Sequence, residues 1–94
     1  MIVVIAEVQL KEGVESEFAK ILENHHKILS KLDGFVSRRL LKSADGKYRI
    51  MVEHQSKETF EKMTQSPEHK KIHDESVTYM ESHPIPKIFQ VIFG

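Results

Sequence analysis

Four β-branched residues in a row, Ile2, Val3, Val4 and Ile5, open the chain, and alternation follows through Ala6, Val8 and Leu10 against Glu7 and Gln9. A fully apolar run that passes into period two predicts a central strand, covered on both faces at its start. Gly13 breaks it. Val14, Phe18, Ile21, Leu22, Ile28, Leu29 and Leu32 then recur at helical spacing, with Lys and Glu on the opposite side, which predicts an amphipathic helix of about five turns. Asp33 and Gly34 end it, Gly34 being suited to a left-handed cap.

Period two returns twice, in Phe35 to Lys42 and in Lys47 to His54, on either side of Ser43-Ala44-Asp45-Gly46. Asp-Gly supplies the positive φ that a hairpin needs. Tyr48, Ile50, Val52 and His54 share one face of the second of these strands; Arg49, Met51 and Glu53 share the other. Ser56 and Ser66 each precede residues suited to a first helical turn, Lys57-Glu58 and Pro67-Glu68. Each serine hydroxyl can satisfy an orphan amide, proline loses nothing at the first helical position, and the acids suit the positive end of the dipole. Two short helices joined at Gln65 and Ser66 are expected. Phe60 and Met63 share a face of the first; His69, His73, Ser76 and Met80 run along one side of the second. His83, Pro84 and Pro86 forbid further helix, and Ile85 to Phe93 reads as a closing strand.

The order β-α-β-β-α-β, with its second helical part broken in two, predicts an α+β fold: a ferredoxin-like sandwich with helices on one face of an antiparallel sheet. Some of Val3, Ile5, Phe35, Ile88 and Ile92 are then expected on the other face, where a second sheet is the simplest cover.

Composition adjusts this picture. The chain has 94 residues, 39% apolar and 30% charged, which predicts one domain over residues 1–94 with a thin core and a tendency to pair with itself. Fourteen basic residues balance fourteen acidic ones, so no global charge draws it to nucleic acid or to an anionic membrane. Without cysteine, disulfides, thiolate catalysis and cysteine metal sites are excluded. The apolar start lacks a basic leader and is interrupted by Glu7, so a soluble, cytoplasmic protein is expected. No Gly-rich phosphate loop, nucleophile elbow or aromatic-basic RNA platform is present.

The candidate chemistry is histidine chemistry. His73 stands first, since a neutral imidazole can act as general base near pH 7. His69 lies one turn before it, a spacing that can hold zinc, but no third ligand is evident and a solvent-facing His69 is expected, hence no metal. His54 and Tyr48 could place polar groups in an apolar pocket walled by Phe60 and Met63. Arg38 and Arg39 face opposite sides of their strand; one can hold a carboxylate or phosphate, and Arg39 is taken as the substrate-binding one. His25 and His26 are expected on a solvated helix face, and Tyr79 and His83 at a pocket mouth or an interface.

Four segments carry a family likeness: Leu32-Asp33-Gly34-Phe35-Val36-Ser37, Leu40-Leu41-Lys42-Ser43, Ser56-Lys57-Glu58-Thr59-Phe60 and Ser66-Pro67-Glu68-His69-Lys70-Lys71-Ile72-His73. Together they resemble the antibiotic biosynthesis monooxygenase domain family. The resemblance implies a dimeric α+β barrel, two sheets face to face, with a pocket between sheet and helices in each subunit. Some members of that family oxidise aromatic polyketides to quinones without metal or flavin; others degrade heme, and others process small quorum-sensing signals. In the heme-degrading branch a histidine on the last helix binds iron, a tryptophan ten residues earlier presses on the porphyrin and an asparagine on the first strand polarises the distal side. His73 matches the first, Met63 stands at the second, and the first strand offers Ala6, Glu7 and Val8. The resemblance thus implies a cofactor-independent monooxygenase acting on a small hydrophobic or aromatic molecule, with His73 as its acid/base. Its alternatives are a heme-binding or heme-degrading enzyme using His73 as iron ligand, and a non-catalytic dimeric module that binds a small ligand.

Overall fold

The computed structural model describes residues 1–94. Its elements are β1 (Ile2–Val8), α1 (Glu15–Leu29), β2 (Phe35–Lys42), β3 (Tyr48–His54), α2 (Lys57–Thr64), α3 (Pro67–Val77) and β4 (Pro86–Gln90). This is the expected β-α-β-β-α-β order. The strands form one antiparallel sheet in the order β2-β3-β1-β4, so β3 is inserted between the two strands that α1 connects. No helix is long and apolar enough to cross a membrane.

Register decides which side chains meet the helices. Ile2, Val4, Ala6 and Val8 of β1 stand opposite His54, Val52, Ile50 and Tyr48 of β3. Ile2, Val4, Val8, Ile50 and His54 are buried, so this parity is the helix side. In β2 the register shifts between Phe35 and Ser37. The extra residue, Val36, reverses the parity, so that Phe35 (opposite His54), Arg38 (opposite Val52) and Leu40 (opposite Ile50) all lie on the helix side. Of the residues expected to supply the other face, Val3 and Ile5 lie there, whereas Phe35 and Ile88, the latter opposite Val4, belong to the helix side. Val3, Ile5, Met51, Leu41 and Phe89 occupy the other face, with Leu41 and Phe89 openly exposed.

The closing strand is shorter than its apolar pattern predicts. Every residue of β4 is exposed, and Ile92 and Phe93 beyond it are almost fully so. It is an edge strand held by β1 alone, which leaves its side chains little to pack on.

Local signals start α2 and α3 as the sequence requires. The Ser56 hydroxyl accepts from the Thr59 amide (3.1 Å) while the Thr59 hydroxyl accepts from the Ser56 amide (3.2 Å), a reciprocal capping box. Ser66 accepts from the His69 amide at 3.2 Å, with Pro67 in the first turn. The expected stop of α1 at Asp33 and Gly34 is corrected: the helix ends at Leu29 with Ser30 as its cap, and Gly34, at φ +78°, sits in the turn before β2, where a side chain would collide with Thr59. Only glycine admits this approach.

The core falls into two clusters. Val8, Phe18, Leu22, Ile50 and Met80 pack at one end; Leu29, Met63 and Ile72 pack at the other. His25, expected in solvent, is instead buried between α1 and α3, its Nε2 donating to Glu75 Oε2 at 2.9 Å. That partner is fifty residues away, beyond any local pattern.

Candidate functional site

A cavity of about 240 Å³ lies where the two core clusters fail to merge. Ile50 and Met80 line it from the first, Leu29, Met63 and Ile72 from the second. Phe60 and Thr64 of α2 add to one wall, His69, His73 and Ser76 of α3 to another, and Arg38 reaches it from β2. Helical spacing explains the α3 wall: positions 69, 72, 73 and 76 follow one stripe, so two imidazoles are delivered to the same opening.

The polar groups of this wall differ in how far their bonding is satisfied. Ser76 Oγ donates to the Ile72 carbonyl at 2.8 Å and Thr64 Oγ1 to the Glu61 carbonyl at 2.8 Å, so both hydroxyl protons stay within their own helices. Arg38 has no such partner. Its Nη1 is buried with no hydrogen bond, and the side chain takes part in no ion pair. Burial lowers its pKa to about 10, which still leaves the guanidinium charged at neutral pH. Burial also holds His69 below the usual histidine value, with the charges of His73 and Arg38 adding to the effect. A neutral imidazole at pH 7 is the result, able to accept a proton.

His73 stands between two other imidazoles. Its ring centroid is 6.1 Å from that of His69, nearly parallel, and 5.9 Å from that of His83. The expected solvent-facing His69 is corrected: it is half-buried and lines both the cavity and the outer groove beside Pro67 and Lys70. His69 and His73 therefore form a mouth.

Other expected site residues lie elsewhere. His54 is fully buried beside the cavity wall, with Nδ1 2.7 Å from Thr59 Oγ1 and its ring edge-on to Phe35 and Phe60 at 6.1 and 5.8 Å. It lines no cavity. The Thr59 hydroxyl proton goes to the Ser56 carbonyl at 3.0 Å, which makes His54 Nδ1–H the donor and leaves its buried Nε2 as an unpaired acceptor. Burial depresses this histidine's pKa, and the charge of Asp33 partly opposes that. Tyr48 is at the far end of β3, where its hydroxyl donates to Glu15 Oε2 (3.0 Å) beside Lys42 Nζ (3.1 Å to the same oxygen). Tyr79 packs on Phe18 at 6.0 Å and faces an open groove along α3.

Arg39 stands opposite Met51, exposed on the other side of the sheet. Arg38 takes the place expected of it. The alternation of Arg38-Arg39-Leu40-Leu41 is ambiguous, because each parity holds one arginine and one leucine. If Phe35 is placed inward, an unbroken strand turns Arg39 inward as well, and the bulge at Val36 reverses this. A β-branched residue between Phe35 and Ser37 gives no sign of such a bulge.

No group of three or more His, Asp or Glu side chains is placed to hold a metal ion. Heme, which the resemblance attached to His73 as an alternative, does not fit these residues. A porphyrin of four linked pyrroles is larger than about 240 Å³ of space, and the walls it would displace, Met63 and Ile72, are buried core.

With the geometry described, comparison with known proteins places the chain. A family model described as antibiotic biosynthesis monooxygenase matches residues 1–75. Among solved structures, a candidate antibiotic biosynthesis monooxygenase from Bordetella bronchiseptica superposes with a TM-score of 0.87 at 16% identity, covering 98% of this chain and 97% of that one. SnoaB, a cofactor-independent oxygenase from Streptomyces nogalater, superposes at 0.83 with 14% identity, covering 99% and 94%. A conserved protein from Methanosarcina mazei Go1 gives 0.82 at 15%, covering 95% and 90%. No curated protein matches. At these identities the structural likeness establishes the fold, and activity must be argued from the side chains.

Proposed function

Because the chain belongs to the antibiotic biosynthesis monooxygenase family, we propose that it is a cofactor-independent monooxygenase whose substrate is a small hydrophobic aromatic molecule held between sheet and helices. The observation that carries this reading is the pair of imidazoles, His69 and His73, at the mouth of an otherwise apolar cavity. A structural relative described as a cofactor-independent oxygenase adds support.

In this reading His73 removes the proton of a phenol-like hydroxyl, and His69, kept neutral by burial, shares the load of the proton without adding charge. Deprotonation makes the ring electron-rich. Dioxygen then takes all four electrons from the substrate: a ring C–H para to the hydroxyl becomes C=O with one oxygen atom, the deprotonated hydroxyl becomes the second C=O, and the other oxygen atom leaves as water. The protein contributes proton removal, orientation and exclusion of bulk water. Phe60, Met63 and Ile72 supply the dry wall against which a ring can lie.

The test is oxygen uptake. Purified protein supplied with a panel of polyphenols and anthrone-like ketones should consume oxygen with at least one of them, and His73→Ala should lose that activity by about a hundredfold or more. No uptake across the panel would sink the enzyme reading and leave a ligand-binding module.

The 94 residues act in this reading as one domain that pairs with a second copy. Support comes from the uncovered sheet face, where Val3, Ile5, Met51, Leu41 and Phe89 form an apolar patch of the kind a partner surface covers. Sedimentation should give a dimer, and Met51→Glu should shift it to monomer.

A further inference from the structure

Arg38 is the least satisfied charge in the molecule. Its guanidinium carries five donors, yet it makes neither a hydrogen bond nor an ion pair, and Nη1 is sealed from solvent. Arg38 is half-buried, and even a partly buried charge without a counter-charge carries a cost unless something else supplies the partner.

No residue of this chain is placed to do so. The cavity is lined by no aspartate or glutamate, and its titratable groups, Arg38, His69 and His73, are all bases. Glu53, next in β3 to the residue opposite Arg38, points to the other side of the sheet and accepts from Ser37 at 2.7 Å. Glu23 of α1 borders the outer depression that Arg38 also touches, but forms no ion pair with it. The cavity is thus an apolar space with uncompensated positive charge on one wall.

We propose that this cavity selects the anion of a small aromatic carboxylic acid, with one or two fused rings against Phe60, Met63 and Ile72 and the carboxylate paired to the Arg38 guanidinium. The inference rests on the reading of this same space as the substrate site and names the class of molecule that enters it. Arginine's planar fork matches the two oxygens of a carboxylate and holds them in one orientation. A single guanidinium balances a monoanion, whereas a phosphate dianion calls for further donors, and the hydroxyls of Ser76 and Thr64 are already committed to backbone carbonyls. Size points the same way. About 240 Å³ falls just below the roughly 300–1,000 Å³ common for ligand pockets, which suits a bicyclic acid and excludes a four-ring one. With the carboxylate on β2, the far edge of the ring lies toward α3, where a ring hydroxyl meets His69 and His73. The substrate class that satisfies both ends is a hydroxyaromatic acid.

Binding measured by ligand fluorescence at pH 7.5 tests this without requiring turnover. 6-Hydroxy-2-naphthoate, whose hydroxyl and carboxylate lie at opposite ends of the ring system, should bind native protein at least about tenfold tighter than 2-naphthol, the value of one charge-assisted hydrogen-bond pair. Arg38→Gln should abolish that preference while leaving 2-naphthol affinity within about twofold, and Arg38→Lys should keep part of it. Equal or weaker binding of the acid by native protein overturns the proposal, and needs no variant. So does a preference that survives in Arg38→Gln, or failure of the acid to bind. Oxygen uptake recorded on the same samples separates the two readings. Preference for the acid without uptake overturns the enzyme reading alone, and uptake from neutral phenols with no preference for the acid in binding overturns the carboxylate alone.

Discussion

Two neighbourhoods, both containing buried histidine and both touching Phe60, sit side by side and behave differently. Around His54 contacts are dense: Thr59 at one nitrogen, Phe35 and Phe60 against its ring edges, and Gly34 close enough to Thr59 that no side chain could be inserted. Around His69 and His73 there is open space, a neutral base and an arginine with no partner. The first region uses its polar groups to fix where α2 starts. The second leaves its arginine without a partner beside open space, as the proposed binding role requires. Neither burial nor an unpaired polar atom distinguishes them, since His54 Nε2 is unpaired too; open space and charge do.

The largest effect should come from truncating the joint. His54→Ala removes a fully buried ring and its bond to Thr59, and should cost about 3 kcal/mol of stability, read from the urea midpoint. Its affinity for an aromatic ligand, measured under conditions where the variant is folded, should stay within about twofold. A larger loss of affinity would break the comparison by placing His54 in the binding region.

The opposite sign is expected across the wall. Arg38→Met replaces an unpaired, half-buried charge with an apolar chain of similar length, and should leave stability unchanged or raise it by about 1 kcal/mol. A loss of 2 kcal/mol or so would mean that Arg38 has a structural partner after all.

The smallest effect is a pH dependence that both regions share. His54 and His69 have folded-state pKa values depressed by burial, so the unfolded chain binds more protons over the window from the ordinary value near 6.5 down to the folded values. Stability is therefore full above that window and falls as pH drops through it. The carboxylates held low, Glu15 and Asp45, release their contribution only further into acid. Denaturation at pH 7.5 and at pH 5.5 should show the loss, and His69→Gln should reduce it.

Element order, helix starts and the hairpin were legible because their causes are local: a serine cap, a proline in a first turn, an Asp-Gly pair, a change of period. Three of the wall residues, Phe60, Met63 and His73, were legible for the same reason, since helical spacing alone puts each on the inner stripe. Arg38 was not, because one bulged residue at Val36 decides the parity of everything after it in β2. His25 was not, because the carboxylate that explains its burial comes from another helix. His54 could have been assigned to the joint from the Ser56-Thr59 capping pair five residues on, had the threonine been read as a partner as well as a cap.

The break between α2 and α3 has a mechanical consequence. Proline at 67 removes one amide from the helical ladder and Ser66 Oγ diverts the His69 amide to itself, so the bonds linking the two helices at the junction run from Ser66 back to the Met63 carbonyl, from its amide at 3.0 Å and its hydroxyl at 2.6 Å. The torsions of two residues, Gln65 and Ser66, thus set the angle between α2, which packs closely on Gly34, and α3, which is tied to α1 through Glu75. The width of the cavity is then set from this junction, like the aperture of an iris set from its ring, by two residues whose side chains do not line it.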